Sequence, residues 1–201
     1  MNDDLLTELA LAGGGGDRHA VEAFVRATQR DVWRFVAHLA DPEAADDLAQ
    51  ETFLRALRGL PGFTGRASAR TWLLSIARRT VVDRYRRSAV RPRNAGLPDW
   101  EEAVDRRPAP PGGFEEGVAL ADLLARIPAD RREVFVLTQV LGYSYQEAAA
   151  VCGCPVGTVR SRLARARDEL VRMVHAAEDR GPGLAPAGGR VAERGRAAVG
   201  G

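Results

Sequence analysis

Residues 144–170 read SYQEAAAVCGCPVGTVRSRLARARDEL, two short helical segments divided by a tight turn. Ser144 stands three residues before Glu147, the spacing at which a serine caps a helix and the glutamate reaches back to it. The small side chains of Ala148, Ala149 and Ala150 allow close packing of that helix against another. Gly153 follows Cys152, and glycine readily takes the left-handed conformation that ends a helix. Pro155 suits the first turn of the next helix, where a missing N–H costs nothing. Along this second helix Val159, Leu163, Ala166, Leu170 and Val174 recur every three or four residues as a stripe for burial. Gly157, Thr158, Arg160, Ser161, Arg162 and Arg165 fall on or beside the other face. Arginine there can grip guanine bidentately or pair with phosphate. The layout is that of a helix-turn-helix presenting its second helix to a DNA groove. Cap, turn and stripe agree, which ranks this reading above a merely solvated helix.

The flanks of this module differ in composition. Residues 17–93 hold 15 arginines against 9 carboxylates, whereas residues 94–121 hold 2 against 6. A basic block, an acidic stretch and the helix-turn-helix suggest two DNA-facing domains on a tether. The stretch RPRNAGLPDWEEAVDRRPAPPGG is rich in proline, glycine and charge and lacks an apolar period, so it reads as a linker. After Arg180, GPGLAPAGGRVAERGRAAVGG is of low complexity and reads as a disordered tail. The chain has 201 residues, 45% hydrophobic and 28% charged, which suits one or two small soluble cores. All 29 basic residues are arginine, and the abundance of alanine, glycine and proline points to GC-rich coding as the reason. No apolar run approaches the roughly 20 residues of a membrane span. The acidic opening MNDDLLTELA does not read as a signal peptide, so a cytoplasmic, membrane-free protein is expected.

The basic block is helical by period. Val21, Phe24, Val25, Val32, Phe35, Val36 and Leu39 place one helix over 20–40. Asp41-Pro42 ends it and opens a second running to about Gly59, with Ala45, Ala49, Phe53, Ala56 and Leu60 facing inward. Asp47, Glu51 and Leu54 fall on the other side, flanked by Leu48 and Gln50. A leucine among exposed carboxylates marks a protein-docking patch, although Leu48 and Leu54 could equally widen the core.

A third helix runs from about Ala69 to Arg87, with Leu73, Leu74, Ile76, Ala77, Thr80, Val81 and Tyr85 on its buried side. Trp72, Ser75, Arg78, Arg79, Val82 and Arg86 gather on the rest. An aromatic ring among arginines can stack an unpaired base while the cations hold the backbone. By spacing alone, Trp72 fits better as ordinary core. Phe63-Thr64-Gly65-Arg66-Ala67-Ser68, just before, forms a loop with one glycine and one cation.

DLAQETFLRAL at 47–57, ARTWLLSIARRTVVDRYRR at 69–87 and YSYQEAAAVCGCPVGTVRSRLARARDEL at 143–170 together resemble the extracytoplasmic-function sigma factors of bacterial RNA polymerase. The resemblance spans about residues 18–177. It implies an all-α fold of two small helical domains joined by a flexible linker. The divisions are an extension at 1–17, a sigma region-two domain at 18–90, a linker at 91–116, a region-four domain at 117–178 and a tail at 179–201. The implied function is binding of core RNA polymerase, through its clamp helices and flap, and promoter-specific initiation by reading the −35 element and melting the −10 element. By resemblance Asp47, Leu48, Gln50, Phe53 and Leu54 lie in the clamp-docking stretch. Trp72, Arg78, Asp83, Arg84 and Arg87 match the helix beside the −10 element, to which Phe63, Arg66 and Arg79 add loop and backbone contacts. The loop 63–68 matches the one that holds an extruded base. Many members carry asparagine at the place of Arg79. Arg160, Ser161 and Arg165 match the recognition helix for duplex −35 DNA, with Thr158 and Arg162 beside them. An anti-sigma factor is a further partner the resemblance allows.

Catalytic chemistry finds little support. His19, His38 and His175 are scattered, and the glycines at 13–16 lack the lysine of a phosphate cradle. Cys152 and Cys154, without further ligands nearby, make a weak zinc signal. Asp46 and Asp47 are adjacent on a helix and point apart. No enzyme, cofactor or metal is therefore expected. A dimeric repressor or response regulator would need a receiver or ligand pocket, and a nuclease would need clustered metal ligands.

Overall fold

The computed structural model describes residues 2–40, 42–89 and 115–178, and among these the fold is all-α. The residues of the expected linker up to 114, and of the tail from 179, lie outside the described part.

Helix α1 (Asp3–Gly14) is capped by Asn2, whose side chain accepts the Asp4 N–H. Helix α2 (Arg18–Leu39) starts at Asp17, whose carboxylate accepts the N–H groups of His19 and Ala20 at 2.9 and 3.1 Å. Its stripe Phe24, Val32, Phe35, Val36 and Leu39 is buried. A 3₁₀ turn over Pro42–Ala44 leads into α3 (Ala45–Gly59), and a second over Leu60–Gly62 leads toward α4 (Ala69–Ala89). Three threonines inside this bundle settle their donors locally. Thr28, Thr52 and Thr80 each return their hydroxyl proton to the carbonyl four residues back, on Phe24, Leu48 and Ile76.

The second unit holds α5 (Glu115–Ala125), α6 (Ala129–Phe135), α7 (Tyr145–Cys152) and α8 (Val156–Glu178). Helix α6 continues as a π turn over Val136–Val140 before Gly142 changes direction. Val159, Leu163, Ala166 and Leu170 bury the inner face of α8 as their spacing predicts. Val174 is an exception. It is exposed, although the neighbouring Met173 packs against the core.

Two features go beyond the local patterns. Residues 3–14, which read only as an extension, form a helix with Leu6 and Ala10 buried against α2 and α4. The second unit also lies against the first, α7 along α4, and the buried apolar side chains of both units form one cluster.

Candidate nucleic-acid and polymerase interface

The helix-turn-helix owes its rigidity to local hydrogen bonds. The Glu147 N–H donates to Ser144 Oγ at 3.2 Å and the Ser144 N–H to Glu147 Oε2 at 2.7 Å, so both halves of the capping box are made. Gly153 ends α7 with φ of +66°, a left-handed conformation that a side chain would strain. The Thr158 and Val159 N–H groups then close on the Pro155 carbonyl and start α8. On the outer face of α8, Arg160, Ser161 and Arg165 are exposed, and Thr158 is half-buried. Arg160 leans toward the Tyr145 ring, 6.0 Å from its centroid. Arg162 departs from the expected row. Its Nε pairs with Asp130 Oδ2 on α6 at 2.9 Å, which turns the side chain inward.

Helix α3 separates the two leucines that its period left undecided. Leu48 is 3% exposed and belongs to the core, whereas Leu54 is 42% exposed beside Asp47 and Gln50. Leu48 therefore offers no surface to a partner; its burial corrects its place in the docking set. Phe53 is half-buried and lines a groove between α2 and α3 of about 460 Å³, with Val25, Gln29, Trp33, Ala49 and Gln50. The 45% exposed Trp33 is oriented by its indole N–H, which donates to Asp46 Oδ1 at 2.8 Å.

The third surface is α4 with the loop before it. Ser68 Oγ accepts the Thr71 N–H at 3.2 Å and so caps α4. Phe63 and Trp72 pack with ring centroids 4.9 Å apart and planes tilted by 42°, both half-buried, so Trp72 is part core and part face. Arg66, Arg79, Arg84 and Arg87 are exposed. Asp83 instead holds Arg55 of α3 at 2.6 Å, a bond between helices. Val82, expected outside, is buried.

Arg78 has the least expected environment. Its Nε donates to Glu133 Oε1 on α6 at 2.5 Å, and the Glu133 side chain is 1% exposed. Burial pushes the Glu133 carboxyl up, while Arg78 and Arg162 pull the other way. About two turns earlier on α4, Arg70 lies over the Tyr143 ring at 4.2 Å. It also donates to the Leu141 carbonyl and to Asp31, each at 3.0 Å. Arg70, Glu133 and Tyr143 thus join the two units, and no motif in the sequence singles them out. Burial also pushes the Cys152 thiol up, with Glu133 nearby adding to the effect. No set of three or more potential metal ligands occurs among the described residues.

Two family descriptions match the chain: "Sigma-70 region 2" over residues 24–91 and "Sigma-70, region 4" over residues 117–170. The ECF RNA polymerase sigma factor SigC of Mycobacterium tuberculosis is 53% identical over 171 residues, covering 85% of this chain and 91% of that protein. The chain belongs to the extracytoplasmic-function sigma factors. The ECF RNA polymerase sigma factor EcfG of Rhodopseudomonas palustris is 37% identical over 144 residues, covering 70% of this chain and 77% of that protein. Among solved structures, CnrH in complex with the cytosolic domain of CnrY aligns with a TM-score of 0.66 and 27% identity, over 86% of this chain and 98% of that one. The sigma factor RpoE in complex with the anti-sigma factor NepR from Bartonella quintana aligns with a TM-score of 0.62 and 26% identity, over 77% of this chain and 96% of that one. A sigma factor directs promoter-specific initiation by RNA polymerase, and this one does so with two helical units. The region-two match begins inside α2, so α1 lies ahead of both matched segments. No described helix of this sigma factor is long and apolar enough to cross a membrane.

Proposed function

We propose that this sigma factor divides its work among three helix faces. The outer face of α3, with Asp47, Gln50 and Leu54 and the groove edge at Phe53, docks on the clamp helices of core RNA polymerase, and the second unit meets the flap. Helix α4 and the loop 63–68 hold the melted −10 strand, with Phe63 and Trp72 for stacking and Arg66, Arg78, Arg79, Arg84 and Arg87 along the backbone. Helix α8 reads duplex −35 DNA with Arg160, Ser161 and Arg165, Thr158 lying beside them. The observation that carries this reading is the row of Arg160, Ser161 and Arg165, exposed on α8 while the adjacent Arg162 is turned inward. Arg162 therefore supports the helix rather than reading bases.

Physics assigns the two DNA elements to different chemistry. Duplex DNA is read at base edges in the major groove, at about 1–3 kcal/mol of discrimination per bidentate contact. Unpaired bases are read by stacking and enclosure. Two modest contacts joined by one chain become selective together through effective concentration. Arg78 bonds Glu133 through Nε, and a guanidinium carries five N–H donors, so the same side chain can also reach a phosphate. The protein supplies selection and carries out no bond-making of its own. It works in the cytoplasm, where polymerase is, and an anti-sigma protein is a fitting partner, as the solved relatives suggest.

A pair of variants tests the division of labour. Leu54→Asp should weaken binding to core polymerase, measured by fluorescence anisotropy, at least tenfold, with folding unchanged. Arg165→Ala should leave core binding intact and lower −35 discrimination by roughly ten- to a hundredfold if the contact is bidentate. Equal loss of both properties in either variant contradicts the assignment.

A further inference from the structure

We infer that α1 sets the shape of the 63–68 loop and so determines base preference at the melted −10 element, with Thr7 as the positioning residue. The inference rests on the assignment of that loop to an unpaired base. Three contacts run along α1 and end on the loop and its borders. At the far end, a Cβ on Gly14 would stand 2.6 Å from the Leu60 carbonyl oxygen, and one on Gly13 would stand 3.1 Å from Leu60 Cδ2. The backbone of α1 therefore touches the 3₁₀ turn that opens the loop, closer than any side chain permits. In the middle, a Cβ on Gly65 would lie 3.6 Å from Leu11 Cδ1 and 3.9 Å from Thr7 Cγ2, so the loop's apex rests on these two side chains. At the near end, the Ala69 N–H donates to Thr7 Oγ1 at 3.1 Å, while the Thr7 hydroxyl donates to the Asp3 carbonyl at 2.9 Å.

The last contact decides where α4 begins. The first N–H groups of a helix lack partners within it. Here Ser68 satisfies Thr71, and Thr7, from another helix, satisfies Ala69. Ala69 is fully buried, so its N–H has no access to solvent as a substitute. One hydroxyl thus ties the start of α4 to α1, and Gly65, with φ of +72°, is held against the same side chain. Neither Thr7 nor Leu11 belongs to the surface proposed for DNA, so both act only through the loop.

The test is in vitro transcription by core polymerase reconstituted with the full chain, on a barcoded promoter library randomised at both elements. Thr7→Val keeps the volume and removes the acceptor. It should lower the preference ratio at one −10 position about fivefold, the loss of one hydrogen bond, and leave −35 preferences unchanged. Thr7→Ser, which keeps the hydroxyl, should stay within about twofold of the parent. Leu11→Ala, on a solvent-facing side of a helix that alanine favours, should repeat the loss at that position if Thr7→Val is poorly folded. Unchanged −10 ratios in Thr7→Val and Leu11→Ala, or a uniform fall at every position, would overturn the inference. A parent protein with no −10 preference at all would remove the loop assignment itself, and the inference with it.

Discussion

At the residue scale, single atoms decide contacts that residue type alone leaves open. Gly14 shows the point most sharply. Replacing it with alanine gains about 1 kcal/mol of helix propensity. The new Cβ would meet the Leu60 carbonyl oxygen at 2.6 Å, a backbone atom that cannot swing aside. Overpacking of this kind costs about 1–3 kcal/mol, so Gly14→Ala should lower the melting temperature; an unchanged or raised value would mean that α1 packs elsewhere. The glycine run at 13–16 gave no sign of this from sequence, because the partner is a carbonyl some 46 positions away. Leu48 and Leu54 make the same case. Their spacing along α3 allowed both to be core or both surface, and only the neighbouring helices separate them.

At the element scale, the helices that carry their own boundaries were legible. The capping box at Ser144, the glycine after Cys152 and the stripe of α8 are interactions within a few residues, so sequence order reports them directly. The interior of α2 was also legible, and it buries a titratable group. Burial, with Arg34 and Arg132 nearby, holds the His38 imidazole below its ordinary value of 6.5. The unfolded chain therefore takes up a proton first as pH falls, and stability drops between 6.5 and the lower folded value. His38→Gln should remove this dependence. Chemical denaturation of both proteins at about pH 7.5 and about pH 5.5 checks it, the parent alone losing stability at the lower value. A parallel loss in both proteins would assign the effect to other groups.

At the scale of the whole molecule, the arrangement of the two units was not legible. Arg78 and Glu133 are 55 positions apart, and the sequence marked Arg78 only as one of several arginines. Their pair joins the units at the edge of one continuous apolar cluster. Removing one partner strands the other, at about 3–5 kcal/mol for a buried carboxylate. Arg78→Ala should therefore destabilise the protein by several kcal/mol in urea unfolding. Arg78→Ala combined with Glu133→Gln should recover part of the loss, since a neutral amide is less costly to bury than a carboxylate. A loss below about 1 kcal/mol in the single variant would place the pair in solvent, not in a joint.

The account as a whole depends on promoter choice passing from this chain to the polymerase. Run-off transcription with purified core enzyme measures that directly. The expected result is a discrete transcript that requires both proteins, disappears when either promoter element is scrambled, and is lost with Leu54→Asp. Initiation that ignores the −35 and −10 sequences, or no transcript under conditions where the chain is folded, would contradict it.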